Sequence, residues 1–198
     1  MKKYKILFII AGSLISLLAI LYIVSLFLPS TYKIETTVVV KAQSEDIFPF
    51  IDNLKSWQEW TVWNKAQDSS LVNTYDGPSN GEGAILNWKG KKLGEGYLKI
   101  TLSRPVKELE YEMGLFKGSF KIHGKFSFVI NVEGTKVTWT NNGDVGSNPI
   151  ARYFLAFSDL DKVIAPDYKK GLTNLKTLVE ERLKIKEDAI KEKMGKDY

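Results

Sequence analysis

An unbroken apolar run opens the chain, and alternating apolar and polar positions follow it through the middle. Residues Ile6 to Leu28 carry no charge, with Ser13, Ser16 and Ser25 as the main polar groups. As a helix, those 23 positions reach roughly 34 Å at about 1.5 Å per residue, enough to cross a bilayer. A cleaved signal peptide has a shorter apolar core and a small-residue cleavage site. Here the run is long and Phe27-Leu28-Pro29-Ser30 is a poor cleavage site, so an uncleaved anchor is expected. Beyond Pro29, the run Ile34 to Lys41 is rich in β-branched residues and predicts a first strand. Ser44 then offers a helix cap ahead of Glu45 and Asp46, with Ile47, Phe48, Phe50, Ile51 and Leu54 at helical spacing. Pro49 either removes one hydrogen bond near the start of that helix or delays its beginning.

From about Leu71 to Asn142 alternation and turn residues predict an antiparallel meander. Its strands are expected at Leu71 to Asp76, Gly83 to Lys89, Gly94 to Ser103, Lys107 to Phe116, Ser119 to Asn131 and Thr135 to Asn141, with turns at Arg104-Pro105, Lys117-Gly118 and Glu133-Gly134. Asn148-Pro149 reads as a cap with proline in the first helical position, opening a helical segment that runs to about Lys193 and is divided by Pro166. Its second half carries Leu172, Leu175, Leu178, Val179 and Leu183 on one stripe, with Glu180 to Lys184 and Glu187 to Lys191 as exposed pairs. A sheet with one apolar face needs a cover, and this long helix is the only large element able to supply it. The expected fold is therefore α+β: a tip and anchor over residues 1–30, one domain over 31–185 and a solvated helical tail over 186–198.

Charge adds orientation and removes one class of partner. Lys2, Lys3 and Lys5 precede the apolar run, and the positive-inside bias places them on the cytoplasmic side and the soluble domain outside the cytoplasm. Setting those three aside from the 28 basic residues leaves 25 against 23 acidic ones. That balance gives no concentrated basic face and calls for no nucleic acid. The absence of cysteine excludes thiolate metal sites and cysteine nucleophiles.

Several short stretches, in order, resemble the START-like superfamily, which includes the polyketide cyclase and dehydrase-like lipid-transport proteins. They are Val40-Lys41-Ala42 leading into Ile47-Phe48, Trp57-Gln58-Glu59-Trp60-Thr61-Val62-Trp63, Gly81-Glu82-Gly83-Ala84 followed by Trp88, Gly94-Glu95-Gly96, Arg104-Pro105 and Gly171 to Lys176. The resemblance covers residues 34 to 183. It implies a helix-grip fold, a curved antiparallel sheet around a long C-terminal helix, with a cavity between them that holds lipids, polyketides or other hydrophobic small molecules. It implies no particular reaction.

Alternation then nominates the cavity wall: Leu98, Ile100 and Leu102 on one strand, Leu109, Tyr111, Met113 and Leu115 on the next, Phe126 beyond, and Val137 and Trp139 on the last. Tyr153, Phe154 and Phe157 are expected opposite them, with Tyr111 and Tyr153 as polar contacts. Trp57, Trp60 and Trp63 recur every three residues and read as core packing or as an aromatic rim at the mouth, and Trp88 joins the candidates. His123 falls on the polar side of its strand with Lys121 and Lys125, which opposes a general-base or metal role. Glu108, Glu110 and Glu112 alternate with the inward residues as a solvated row. Gly81-Glu82-Gly83 and Gly94-Glu95-Gly96 are turns rather than phosphate loops. Ser119, His123 and Asp144 form no hydrolytic signature, lacking a Gly-x-Ser-x-Gly elbow.

No catalytic residue, metal site or cofactor is expected. The leading functional reading is a non-catalytic, membrane-anchored module for a hydrophobic or lipid-like molecule, held to the membrane by residues 6–28. The alternatives are a scaffold whose cavity is filled by its own side chains, and a cyclase-like or hydratase-like enzyme acting on an apolar substrate.

Overall fold

The computed structural model describes residues 2–115 and 120–196. The expected turn at Lys117-Gly118, together with Phe116 and Ser119, lies outside the described residues, as do Asp197 and Tyr198. The elements in chain order are α1 (Lys2–Ser25), β1 (Thr31–Val40), α2 (Ser44–Asp52), α3 (Trp57–Trp60), β2 (Val72–Asp76), β3 (Ile85–Gly90), β4 (Gly94–Arg104), β5 (Glu108–Leu115), β6 (Phe120–Asn131), β7 (Gly134–Asp144), α4 (Pro149–Phe157), α5 (Leu160–Val163) and α6 (Ala165–Lys196). The strands form one seven-stranded sheet in the order β1-β7-β6-β5-β4-β3-β2. Every neighbouring pair is antiparallel, so β2 to β7 is a meander that β1 closes by pairing with β7.

One face of this sheet is apolar, and α6 covers it. Leu172, Leu175 and Val179 are buried in the first turns of α6, as the stripe predicted, while Ile185, Ile190 and Met194 beyond them are exposed. Pro166 sits in the first turn of α6, where its missing N–H costs no internal hydrogen bond. The helical segment is broken earlier, at residues 158–159 and again at Ile164, on either side of α5. Glu180 does not reach along the helix to Lys184. It accepts from Lys176 Nζ at 2.7 Å and from the backbone N–H of Lys41 at 2.8 Å, because the end of β1 offers that unpaired donor.

One local expectation is corrected, and one pair of alternatives is decided. Ser44 is the first residue of α2 rather than its cap; Gln43 holds the cap position, and the Ser44 hydroxyl is buried without a partner among the described residues. Pro49 lies inside α2, so it removes one hydrogen bond rather than delaying the start. At the next helical start the expectation holds: Asn148 Oδ1 accepts from Ala151 N at 3.1 Å ahead of Pro149.

A bulge changes the parity of β4. Ile100 faces Tyr111, but Leu102 faces Glu110 and Ser103 faces Leu109, so one extra residue, Thr101, is accommodated between them. Leu102 is thereby turned toward the acidic outer face, against the inward placement that plain alternation gave. Ser103 takes the inward place and donates to Asp52 Oδ1 at 2.6 Å, tying β4 to the end of α2.

Candidate ligand cavity

The aromatic core is built around α3. Trp57 Nε1 donates to Ile51 O at 2.8 Å and Trp60 Nε1 to Phe50 O at 3.0 Å. Both indole N–H groups are thus satisfied by α2, which leaves the ring faces free to pack. Trp60 is fully buried, behind Phe126 and Trp139, whose rings stack at 4.8 Å. Burying a ring of this size removes about 150–250 Å² from water, worth roughly 4–6 kcal/mol at about 25 cal/mol per Å². Trp63 lies past the end of α3, where Thr61 is extended, so it leaves the helix face and packs edge-on against Tyr168 at 5.1 Å. The three-residue spacing therefore supplies two functions. Trp60 is core, and Trp57 and Trp63 line a void.

That void has a volume of about 360 Å³ and lies among α3, the start of α6 and strands β2 to β5 and β7. Of the nominated residues, Trp57, Trp63, Trp88, Leu98, Tyr111, Met113, Leu115 and Trp139 line it. Ile100 and Phe126 are fully buried and, like Trp60, stand behind the wall. Trp88 lies across Gly96, directly opposite on β4, where a methyl group would overlap its ring.

Tyr153, Phe154 and Phe157 are not at the cavity. They belong to α4, which contacts the end of α1, and Tyr153 Oη donates to Leu21 O at 3.0 Å. The loop after β7 carries α4 past the end of the sheet, so its aromatics never face β7. In their place stand Ile164 and Tyr168. Tyr168 is four residues before Leu172, and extending the apolar stripe of α6 back by one turn finds it.

The polar groups at the wall are few. Trp139 Nε1 donates to Tyr111 Oη at 2.9 Å, and Tyr111 Oη donates to Asn141 Oδ1 at 2.6 Å. Burial pushes the hydroxyls of Tyr111 and Tyr168 well above the usual tyrosine range, so both stay protonated at neutral pH. Gln58, Thr61, Asn73 and Lys92 complete the polar lining, and Asn73 Oδ1 is buried without a partner among the described residues. Among the described residues, no carboxylate and no histidine lines the cavity. His123 is exposed on the outer face, beside the row in which Lys125 pairs with Glu108 and Glu110. Among the described residues no group of three His, Cys, Asp or Glu side chains is placed to hold a metal ion.

The model of the polyketide cyclase/dehydrase and lipid transport family matches residues 31–180. The chain belongs to that family. No relative among the curated proteins matches. Solved structures confirm the fold that this family implies. The di-domain ARO/CYC StfQ from the steffimycin biosynthetic pathway aligns with TM-score 0.56 at 12% identity over 77% of this chain and 52% of its own, so this chain spans about half of it. A point mutant of norcoclaurine synthase from Thalictrum, in complex with a transition-state analogue, aligns with TM-score 0.56 at 13% identity over 77% and 96% of the two chains. The Aha1 dimer from Colwellia psychrerythraea aligns with TM-score 0.51 at 18% identity over 75% and 96%.

Two wall residues of this family member, Lys92 and Leu93, are fixed from outside the cavity. Asp68 accepts from the hydroxyl and N–H of Ser70 at 2.6 and 3.0 Å and from the backbone N–H groups of Lys92 and Leu93 at 2.8 and 3.0 Å. The Ser70 hydroxyl first, then these N–H groups, hold its carboxyl well below the usual carboxylate range. Asp68 thereby pins the β3–β4 hairpin that carries Lys92 and Leu93 to the cavity rim. Nothing in the local pattern around Asp68 announced this, because its hairpin partners lie more than twenty residues away.

Proposed function

We propose that this chain is a membrane-anchored binding module that encloses a hydrophobic or lipid-like small molecule and performs no chemistry on it. The observation that carries the reading is the cavity of about 360 Å³, walled mainly by tryptophan, leucine, methionine and tyrosine and lined, among the described residues, by no carboxylate or histidine. Ligand sites are typically about 300–1,000 Å³, apolar, with a few orienting polar groups. A void of this size opposes the scaffold reading, in which side chains fill the space. The one hydroxyl proton of Tyr111 is already given to Asn141, and neutral tyrosines are poor general bases at neutral pH.

The anchor is the span Tyr4–Ser25, 22 residues with a mean hydropathy of 2.7, whose apolar side chains are exposed. That length is about 33 Å of helix. The lysines at its start support an orientation with the domain outside the cytoplasm.

The domain from Ser30 onward retains the whole buried core except Ser25. Expressed alone, it is expected to carry a co-purifying amphiphile, visible by native mass spectrometry, or to bind fatty acids or an apolar fluorophore with saturation. If it carries nothing and binds neither, the binding reading is wrong. Turnover of a bound compound would replace it with the enzyme reading.

A further inference from the structure

The strand register places the cavity rim at the end of the sheet where α1 leaves. β1 begins at Thr31, six residues after the last residue of α1, and Thr31 pairs with Asp144. Asp144 pairs with Lys121, Leu115 with Phe120, Gly96 with Leu115, Gly90 with Gly94 and Val72 with Lys89. Following these pairs across the sheet, the start of β1, the end of β5, the β3–β4 turn and the start of β2 all share one end. Leu71, Lys92, Leu93 and Leu115 line the cavity from that same end.

On this side the chain also presents an uncovered apolar surface. Ile150, Phe154 and Phe157 form a stripe along α4 and are 81%, 48% and 80% exposed, and Val163 of α5 is exposed too. A helix that buries no residue in its own protein and holds three large apolar side chains in water is at odds with a soluble surface. Its attachment supplies the explanation. Arg152 donates to the carbonyls of Ser25, Leu26 and Leu28 at 3.1, 2.7 and 3.2 Å, capping the C-terminal end of α1, while Tyr153 holds Leu21 O. The stripe is thus fastened at the level where the apolar helix ends, beside the exposed Phe27. Immediately after Val163, Ile164 turns into the cavity wall.

We propose that α4 and α5 lie in the headgroup layer of the bilayer that α1 spans, with Ile150, Phe154, Phe157 and Val163 dipped into its acyl boundary, and that the cavity rim faces this layer. An amphiphile then passes between bilayer and cavity past Ile164 and Lys92 without crossing bulk water. Lys92 has no carboxylate partner among the described residues, which suits it to the anionic headgroup region. This inference rests on the anchored reading of α1 and on the cavity as the ligand site.

The native chain has no cysteine, so single labels are unambiguous. Full-length Ile15→Cys, Phe157→Cys, Lys92→Cys and Val132→Cys variants are labelled with an environment-sensitive fluorophore and reconstituted into phosphatidylcholine vesicles containing nitroxide lipids. Val132 is fully exposed in the β6–β7 turn, at the opposite end of the sheet, and serves as the aqueous reference. The label at Phe157 should be quenched by acyl-chain nitroxides and resist aqueous iodide roughly threefold or more relative to Val132, with Lys92 quenched by headgroup nitroxides. If Ile15 lies in lipid while Phe157 or Lys92 is as open to iodide as Val132, this inference falls and the anchor stands. If Ile15 is itself outside lipid, the anchor reading fails and takes the inference with it.

Discussion

Trp139 donates its indole N–H to the hydroxyl of Tyr111 at 2.9 Å, and both side chains are buried at the cavity floor. The same hydroxyl donates to Asn141 Oδ1, while Asn141 Nδ2 has no partner among the described residues. Among the described residues, Tyr111 therefore links these two buried polar groups by itself. Tyr111→Phe keeps the ring and removes the link, orphaning the Trp139 donor and the Asn141 acceptor together. Urea unfolding should show a loss of about 1–3 kcal/mol with an unchanged m-value. A neutral result would mean that a water takes over the bridge.

The ring of Tyr111 lies over Gly124 of β6, its cross-strand partner. A methyl group there would overlap the ring, and the ring cannot retreat because Trp57 packs on it edge-to-face at 5.5 Å. Gly124→Ala is expected to cost about 1–3 kcal/mol or somewhat more through overpacking. Thermal melts of Gly124→Ala, Tyr111→Ala and the double variant separate the clash from a backbone effect, since the double variant should cost less than the sum of the two singles.

The same cluster shows what was legible in the sequence. Alternation located every strand of the meander to within a few residues and put Tyr111, Met113 and Trp139 on the inward face, because a half-buried antiparallel strand imposes period two on its own residues. It failed at Thr101, since a bulge changes parity without changing the local pattern of Leu98, Ile100 and Leu102. It also failed for the helices after β7. Tyr153, Phe154 and Phe157 are as apolar as Ile164 and Tyr168, and only the path of the connecting loops decides which set meets the sheet. Asp68 was invisible for a related reason: a carboxylate that accepts four hydrogen bonds looks, in sequence, like any loop acid.

Asp68 yields a pH dependence with a definite sign. Its folded-state pKa lies below the ordinary value of 3.8, so its contribution to stability is present above that value and is lost as pH falls through the depressed folded pKa. Asp68→Asn removes the charge and acceptor sites and should melt below the wild type at about pH 6, with the gap closing toward about pH 2. It should also loosen the hairpin at Lys92 and Leu93, seen as faster amide exchange at those two residues. A gap that stays constant with pH would assign the loss to geometry alone.

Buried tyrosines set the alkaline limit. Desolvation pushes Tyr32 up to about 12, and Tyr111 and Tyr168 are also raised above 10.0. A raised folded pKa leaves stability intact below the unfolded value and removes it as pH rises above that value toward the folded one. Stability should therefore fall between about pH 10 and 12. Spectrophotometric titration should show the phenolate signal of these three appearing only with unfolding, and Tyr168→Phe should reduce the steepness of the alkaline transition. Ionisation of all tyrosines with ordinary pKa values in the folded protein would contradict their burial.

Met113 is half-buried on β5, faces Leu98 across the strand pair and lines the cavity without belonging to the fully buried core. Met113→Trp therefore directs added volume into the void rather than into packed side chains. The fold should survive, with a stability change inside about 1–3 kcal/mol. The affinity for an apolar fluorophore or fatty acid should drop at least about tenfold, equivalent to about 1.4 kcal/mol. Met113→Ala works in the opposite direction, enlarging the space and favouring bulkier amphiphiles. Ile130→Trp, on an exposed position remote from the cavity, controls for the added indole. If all three variants bind alike, the ligand does not occupy this cavity.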